Sequence, residues 1–222
     1  MYVIVVGLGR VGQYVVEFLV PRKHTVVAVD LDPERCREIT SRFDVVAIPG
    51  DATAQRILEQ AGASKADSLI ATTGDDSVNF MAAHLARSLG VKHLVSVLNR
   101  REHQPLFAAA SIALVENPEM EVAKHLYWAV ERPNVRDLLR LGEEKVEMFE
   151  VTVGGDSDAA DKNLGELKLA DATVVAIERK NKLIIPRGDT RVQPGDKVTL
   201  FAAGEAVEKL ATLFVGKNSG KK

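Results

Sequence analysis

The sequence predicts an α/β fold: a Rossmann-like, doubly wound parallel sheet, then a crossover helix and a small C-terminal α+β domain. Three observations predict it. Short apolar, β-rich runs alternate with helical patterns through the first half of the chain, the rhythm of a parallel sheet covered on both faces. The first run leads straight into Gly7-Leu8-Gly9-Arg10-Val11-Gly12, a G-x-G-x-x-G turn. From Val146 onward the pattern changes to near period two, with frequent turn signals.

The elements follow in order. Strands are predicted at Tyr2–Val6, Thr25–Val29, Val45–Ile48, Ser68–Ala71, Leu94–Leu98 and Ile112–Val115. Helices are predicted at Val11–Leu19, Pro33–Arg42, Ala54–Ala61, Ser77–Leu89 and Glu102–Ala110. In the first helix Val11, Tyr14, Val15, Phe18 and Leu19 share one face by spacing. Asp32 precedes Pro33 as an N-cap, Thr53 and Asp75 read as further N-caps, and Gly62 and Gly90 stand where helices end. After Pro118 another helical pattern, through Val122, Leu126, Ala129 and Val130, ends at Arg132-Pro133 and carries Tyr127 and Trp128. It has no following strand in the same rhythm and reads as a connector. Later runs at Thr173–Ile177, Leu183–Pro186 and Lys197–Ala202, and a closing helix at Glu205–Phe214, complete the second domain. The expected boundaries are 1–117 for the nucleotide-binding domain, 118–133 for the crossover helix, 138–215 for the C-terminal domain and 216–222 for a polar, disordered tail.

The glycine turn carries the chemistry. Gly7 permits a tight turn, Gly9 lets backbone approach a pyrophosphate, and Gly12 lets the helix pack closely. The helix N-terminus offers unpaired N–H groups to phosphates. Asp30 ends the second strand about twenty residues on, where an acid accepts the ribose hydroxyls and repels a 2′-phosphate. The expected ligand has a free adenosine ribose: NAD(H), ATP, ADP or AMP. Ligands of such sheets bind outside the carboxyl ends of the strands, so Gly50-Asp51-Ala52-Thr53 and Thr72-Thr73-Gly74-Asp75-Asp76 are candidate walls. Asp51 and Thr53 are placed for the adenine or ribose, Thr72 and Thr73 for the phosphates through hydroxyls or backbone N–H groups. Helix capping alone is the competing role for Thr53 and Asp75. Arg10, beside the diphosphate position, offers a guanidinium to a third phosphate and keeps ATP/ADP in competition with NAD.

Bulk properties narrow the classes. The 222 residues carry a net charge of -2 and are 46% hydrophobic. No basic field recruits nucleic acid, and no apolar run is long enough to span a bilayer. No signal peptide is evident, and the single cysteine, Cys36, has no internal disulfide partner; both point to a cytoplasmic setting. The histidines show no metal-ligand spacing, and no nucleophile is paired with a base. A catalytic role therefore rests on the fingerprint alone, which leaves a small NAD-dependent oxidoreductase or a bare dimerisation module as alternatives to a nucleotide-sensing subunit.

Taken together, the chain resembles the RCK (also called KTN) regulatory subunits of Trk/Ktr-type potassium uptake systems, of the TrkA/KtrA kind. The resemblance is carried by Gly7–Gly12, Ala28-Val29-Asp30-Leu31-Asp32, Gly50–Thr53, Ala71–Asn79 and Asn117-Pro118-Glu119. In the second domain it is carried by Val175–Arg179, Leu183–Pro186 and Gln193–Val198. It implies a nucleotide-binding subunit, not an enzyme, at the inner face of the cell membrane. It implies homodimers joined through their Rossmann domains and the crossover helix, here about Pro118–Glu131, and an octameric ring beneath a potassium-translocating membrane subunit. By position Gly7, Leu8, Gly9, Arg10, Val11, Gly12, Asp30, Leu31, Asp51, Ala52, Thr53, Thr72, Thr73, Gly74 and Asp75 inherit nucleotide contacts. Glu119 matches an acid near the phosphates of ATP and a bound divalent cation across the dimer. Val97 departs from the family, which often has a basic residue there.

Overall fold

The computed structural model describes residues 1–115, 117–141, 146–169 and 171–216. The chain forms two compact units, Met1–Glu121 and Val122–Lys222. In the first, six parallel strands make one sheet: β1 (Tyr2–Val6), β2 (Thr25–Asp30), β3 (Val46–Pro49), β4 (Ser68–Ala71), β5 (His93–Val97) and β6 (Ala113–Val115). Their spatial order is β3-β2-β1-β4-β5-β6. The order reverses between β1 and β4, and that crevice is where such folds hold ligands.

Strand alternation feeds two cores. Val3, Val5 and Ala28 face one side, packed with Val16 of α1 (Arg10–Leu19) and with Cys36 and Ile39 of α2 (Pro33–Arg42). Ile4, Val6, Val27, Val29 and Leu69 face the other. There they meet α3 (Gln55–Gln60), α4 (Asp76–Ser88) and α5 (Gln104–Ala109) through Ile57, Leu58, Ala82, Ala83, Ala86 and Phe107. The alanine face of α4 allows close approach to the sheet. Burial raises the Cys36 thiol above its ordinary value, as expected of an inert thiol.

Local signals place most boundaries. The Asp32 side chain accepts the Glu34 N–H with Pro33 in the first turn of α2. Asp75 caps α4 through the Ser77 N–H at 2.7 Å. Gly62 and Gly90, at φ +76° and +103°, follow α3 and α4 in the left-handed region. Two expectations are corrected. Thr53 is not the cap of α3: Ala54 is, with no side-chain cap bond. Thr53 instead donates its N–H and hydroxyl to Asp51, at 2.9 and 2.7 Å, closing the loop one residue earlier. The buried face of α1 is Gly12 and Val16, while Tyr14 and Phe18 are more than 60% exposed. Tyr14 and Phe18, each two residues from a buried position, fall on the side of the helix away from the sheet.

Helix α6 (Pro118–Glu131) carries the chain from the first unit into the second. Within the second, Tyr127 and Trp128 meet edge to face at 4.9 Å, and the Arg132 guanidinium sits 4.4 Å from the Trp128 ring centre. Five strands follow: β7 (Val135–Leu141), β8 (Val146–Thr152), β9 (Ala172–Arg179), β10 (Lys182–Ile184) and β11 (Lys197–Ala203). They form an antiparallel sheet ordered β10-β9-β11-β8-β7. Phe149, Val151, Ile177, Val198 and Leu200 pack beneath Val207, Leu210 and Phe214 of α7 (Val207–Val215). The expected disordered tail falls, beyond Gly216, outside the described residues.

Candidate functional site

Four carboxyl-terminal loops of the parallel sheet converge on one cleft of about 520 Å³. The loop after β1 contributes Gly7 and Gly9. Asp30, Leu31, Asp32 and Arg35 come from the end of β2 and the start of α2. Gly50, Asp51 and Ala52 follow β3, and Thr72 to Asp75 follow β4.

Each glycine of the turn has its own reason. Gly7 adopts φ +90°, and a Cβ there would lie 3.1 Å from the Thr73 nitrogen. A Cβ on Gly12 would collide with the Gly7 carbonyl oxygen. Gly9 is different: nothing stands within 4 Å of where its Cβ would be. It lines the cleft and caps α1 without any side-chain bond. The N-terminus of α1 therefore carries its partial positive charge and uncapped N–H groups.

Asp30 is 8% exposed at the end of β2. Its Oδ2 accepts the Leu8 N–H at 2.6 Å and its Oδ1 the Asp32 N–H at 2.8 Å. The carboxylate thus ties the glycine turn to β2. An ionised carboxylate has about four lone-pair sites, so two N–H bonds leave acceptor capacity on the cleft side. Arg35 stands 3.7 Å from both Asp30 and Asp32.

The threonines are more committed than the sequence implies. The Thr72 hydroxyl donates to the Gly7 carbonyl at 2.9 Å, and its N–H donates to Val6. Thr73 gives its N–H and hydroxyl to Asn79 Oδ1 at 3.0 and 2.6 Å. Their donors hold the cleft wall together. Asp51 is held below the ordinary carboxylate range by the Thr53 hydroxyl and N–H.

Of the expected contacts, Gly7, Gly9, Asp30, Leu31, Asp51, Ala52, Thr72, Thr73, Gly74 and Asp75 line the cleft. Leu8, Arg10, Val11, Gly12, Thr53 and Glu119 do not. Leu8 and Thr53 act from behind, through the bonds to Asp30 and Asp51. Arg10 is exposed at the first position of α1, with no partner among the described residues. Glu119 is exposed in the first turn of α6.

Sequence reading missed Arg35; it set Asp76 at the end of a candidate wall, whereas Asp76 does not line the cleft and its buried side chain works behind it. Arg35 has a signal: a cation in the first turn of a helix opposes the dipole unless acids or an anion answer it. The network around Asp76 has none. The Asp76 side chain is 3% exposed and accepts the N–H groups of Asn99 and Arg100 at 2.8 and 2.9 Å. It also accepts the Asn99 amide at 2.9 Å and meets His103 Nδ1 at 2.8 Å. Burial pushes this carboxyl up, but the Asn99, His103 and Arg100 bonds outweigh burial and hold it below the ordinary range.

Known proteins resemble this chain along its length. Residues 3–118 match the family model described as the TrkA-N domain, and residues 148–215 that of the TrkA-C domain. A Trk system potassium uptake protein TrkA homolog of Methanothermobacter thermautotrophicus is 30% identical over 217 residues, covering 97% of this chain and 100% of that protein. A protein of the same description from Pyrococcus abyssi is 30% identical over 226 residues, covering 98% of this chain and 99% of that one. Among solved structures, the GsuK channel bound to NAD superposes with a TM-score of 0.63 at 18% identity. That match covers 100% of this chain and 40% of the channel chain, and it shows the shared fold.

Proposed function

The chain belongs to the TrkA family, and from that premise we propose that it is a nucleotide-sensing regulatory subunit gating a potassium-translocating membrane protein. It acts without catalysis, at the cytoplasmic face of the membrane, through its membrane partner. Among the described residues no helix is long and apolar enough to cross a membrane. One observation carries the reading: the cleft at the carboxyl ends of β1 to β4, with Gly9 open to it and the Asp30 carboxylate at its edge.

In this reading an adenine nucleotide lies across the switch point. Its ribose hydroxyls take the remaining acceptor positions of Asp30, and its phosphates face Gly9 and the N-terminus of α1. Asp51 and Ala52 border the adenine side; Gly74 and Asp75 border the far wall. NAD(H), ATP, ADP and AMP share the part that this cleft reads. Arg10 and, across a homodimer, Glu119 with a divalent cation would favour the triphosphate. Dimers assembled into an octameric ring would give several such sites one output. Gating requires the ligand to bind one ring state better than another. A tenfold preference supplies about 1.4 kcal/mol per site.

Calorimetry with NADH, ATP, ADP and AMP tests the binding, and potassium flux through the reconstituted transporter tests the regulation. Saturable binding with a ligand-dependent change in flux is the expected result. Flux indifferent to the subunit under every nucleotide would remove the regulatory reading. Turnover of NADH against carbonyl substrates, lost in Gly9→Ala, would replace it with an oxidoreductase.

A further inference from the structure

The back of the cleft wall and the start of α6 meet at one residue. Asn99, two residues beyond β5, uses its amide Nδ2 twice: it donates to the Thr73 carbonyl at 3.2 Å and to Asp76 Oδ1 at 2.9 Å. Its backbone carbonyl accepts the Asn117 Nδ2 at 3.1 Å. Asn117 in turn caps α6, its Oδ1 accepting the N–H groups of Glu119 and Met120 at 2.8 and 3.2 Å. Thr73 itself lines the cleft. A chain of hydrogen bonds therefore runs from the cleft wall through Asn99 and Asn117 to the first turn of the helix that leads out of the unit.

We propose that Asn99 is a positioning residue that ties occupancy of the cleft to the N-terminal cap of α6. The proposal rests on the nucleotide reading of the cleft. Asn99 is held from below by the buried Asp76 carboxylate through both its backbone and side-chain nitrogens, so it moves as a unit with that carboxylate. A ligand that shifts the Thr73 wall either breaks the 3.2 Å bond or carries Asn99 with it. The first leaves a donor short of a partner; the second reaches Asn117. The second alters the environment of the Glu119 and Met120 N–H groups, which otherwise belong to the uncapped set at a helix start. Such coupling is reciprocal: loosening the cap must change nucleotide affinity by the same factor that the nucleotide changes the cap.

Physical adjacency does not by itself establish coupling, so the test cuts the link while keeping the cap. Asn117→Ser retains an N-cap oxygen but is too short to reach the Asn99 carbonyl. Residue-resolved hydrogen–deuterium exchange of the full chain reads the Glu119 and Met120 amides with and without saturating nucleotide. The nucleotide is whichever of NADH, ATP, ADP or AMP binds by calorimetry. The wild-type exchange rate at these two amides should change by about threefold or more on binding, and by less than about 1.5-fold in Asn117→Ser. Nucleotide affinity in Asn117→Ser should stay within about threefold of wild type, because coupling of that size can shift it no further. Asn99→Ala should abolish the response in the same way; if it misfolds, Asn117→Ser decides alone. A ligand-induced change that persists in Asn117→Ser overturns the proposal, as does wild type that binds nucleotide with no change at either amide. If none of the four nucleotides binds, calorimetry has overturned the nucleotide reading, and this inference falls with it.

Discussion

Among the described residues, the most deeply buried aspartates of the two units are satisfied by opposite means. Asp196 in the second unit is 1% exposed and takes a two-pronged pair from Arg179, with Nε and Nη2 at 2.7 Å each, plus the Gln193 N–H at 2.9 Å. Asp76 in the first unit receives no guanidinium or ammonium among the described residues; it is surrounded by backbone N–H groups, an amide and the His103 ring. The charge pair joins β9 to the start of β11 and closes a sheet. The ring of dipoles reaches over to the loop after β5, beside the cleft wall. Planar guanidinium–carboxylate pairs impose one geometry, which suits a scaffold. Several separate donors of modest strength can be rearranged singly, which suits the proposed response of the wall to a ligand.

The largest effect should come from breaking the charge pair. Asp196→Ala leaves the Arg179 guanidinium, with 26% of its side chain exposed, without its carboxylate. Loss of one partner of a buried pair costs about 3–5 kcal/mol, discounted here because Arg179 reaches water. The loss should appear in hydrogen exchange of β9 and β11 and leave β1 and β4 protected. Loss of protection in both units together would show that the pair does more than close one sheet.

Asp76→Ala should cost somewhat less, about 2–3 kcal/mol, because each donor that loses a charged acceptor contributes about 1.5–3 kcal/mol and part of the loss is recovered by water at the half-exposed His103. The change should fall on the first unit and weaken nucleotide binding through the Thr73 wall. The same carboxyl sets an acid limit. Its folded-state value lies below the unfolded one, so its contribution is complete above the unfolded value of about 3.9. It is lost as pH falls through the lower, folded value. Acid titration followed by circular dichroism should show a dependence below about pH 4 that shrinks in Asp76→Asn. An unchanged acid limb would place the pH dependence on other carboxylates.

These contrasts explain what the sequence disclosed. The parallel sheet was legible because its strands are buried on both faces and read as uninterrupted apolar runs. Gly7, Gly9, Gly12 and Asp30 were legible because the fingerprint is local in sequence. β7 was not: its register slips between Asp137 and Leu139, and a bulge erases period two. The burial of Gly12 and Val16 in place of Tyr14 and Phe18 was also hidden, since helical spacing gives a face but not which face the sheet accepts. The network around Asp76 was hidden because its partners lie 23 to 27 residues away, on a loop that only the fold brings back.

Asp30 joins the two kinds of burial. It is pinned by backbone N–H groups like Asp76, and has Arg35 at 3.7 Å as a distant echo of the Arg179 pair. Asp30→Ala should weaken every adenosine ligand by about 1.5–3 kcal/mol if its free acceptors hold the ribose. It should also relax discrimination against NADP(H). Calorimetry showing equal losses for NADH and NADPH would mean that the substitution acts only by freeing the Leu8 turn.

Arg10 should give the smallest effect and the most specific one. Unlike Arg179, its guanidinium is exposed and meets no acid among the described residues. Removing it leaves no buried charge behind, so Arg10→Ala should not change stability. What it removes is attraction at the phosphate end, which grows with the charge brought within reach and is screened by salt. The expected order of loss is ATP, then ADP, then AMP, with about tenfold for ATP at low ionic strength and a smaller ratio at high salt. If the cleft is tuned to NAD(H), NADH and ADP should lose alike, because both present a diphosphate to the same position. Magnesium sharpens the comparison: with Glu119 supplied across a dimer, the cation should favour the triphosphate, and without it the same carboxylate should oppose it. Equal losses for ATP, ADP and AMP, with and without magnesium, would show that Arg10 does not count phosphates, and that the specificity of the cleft ends at the pyrophosphate.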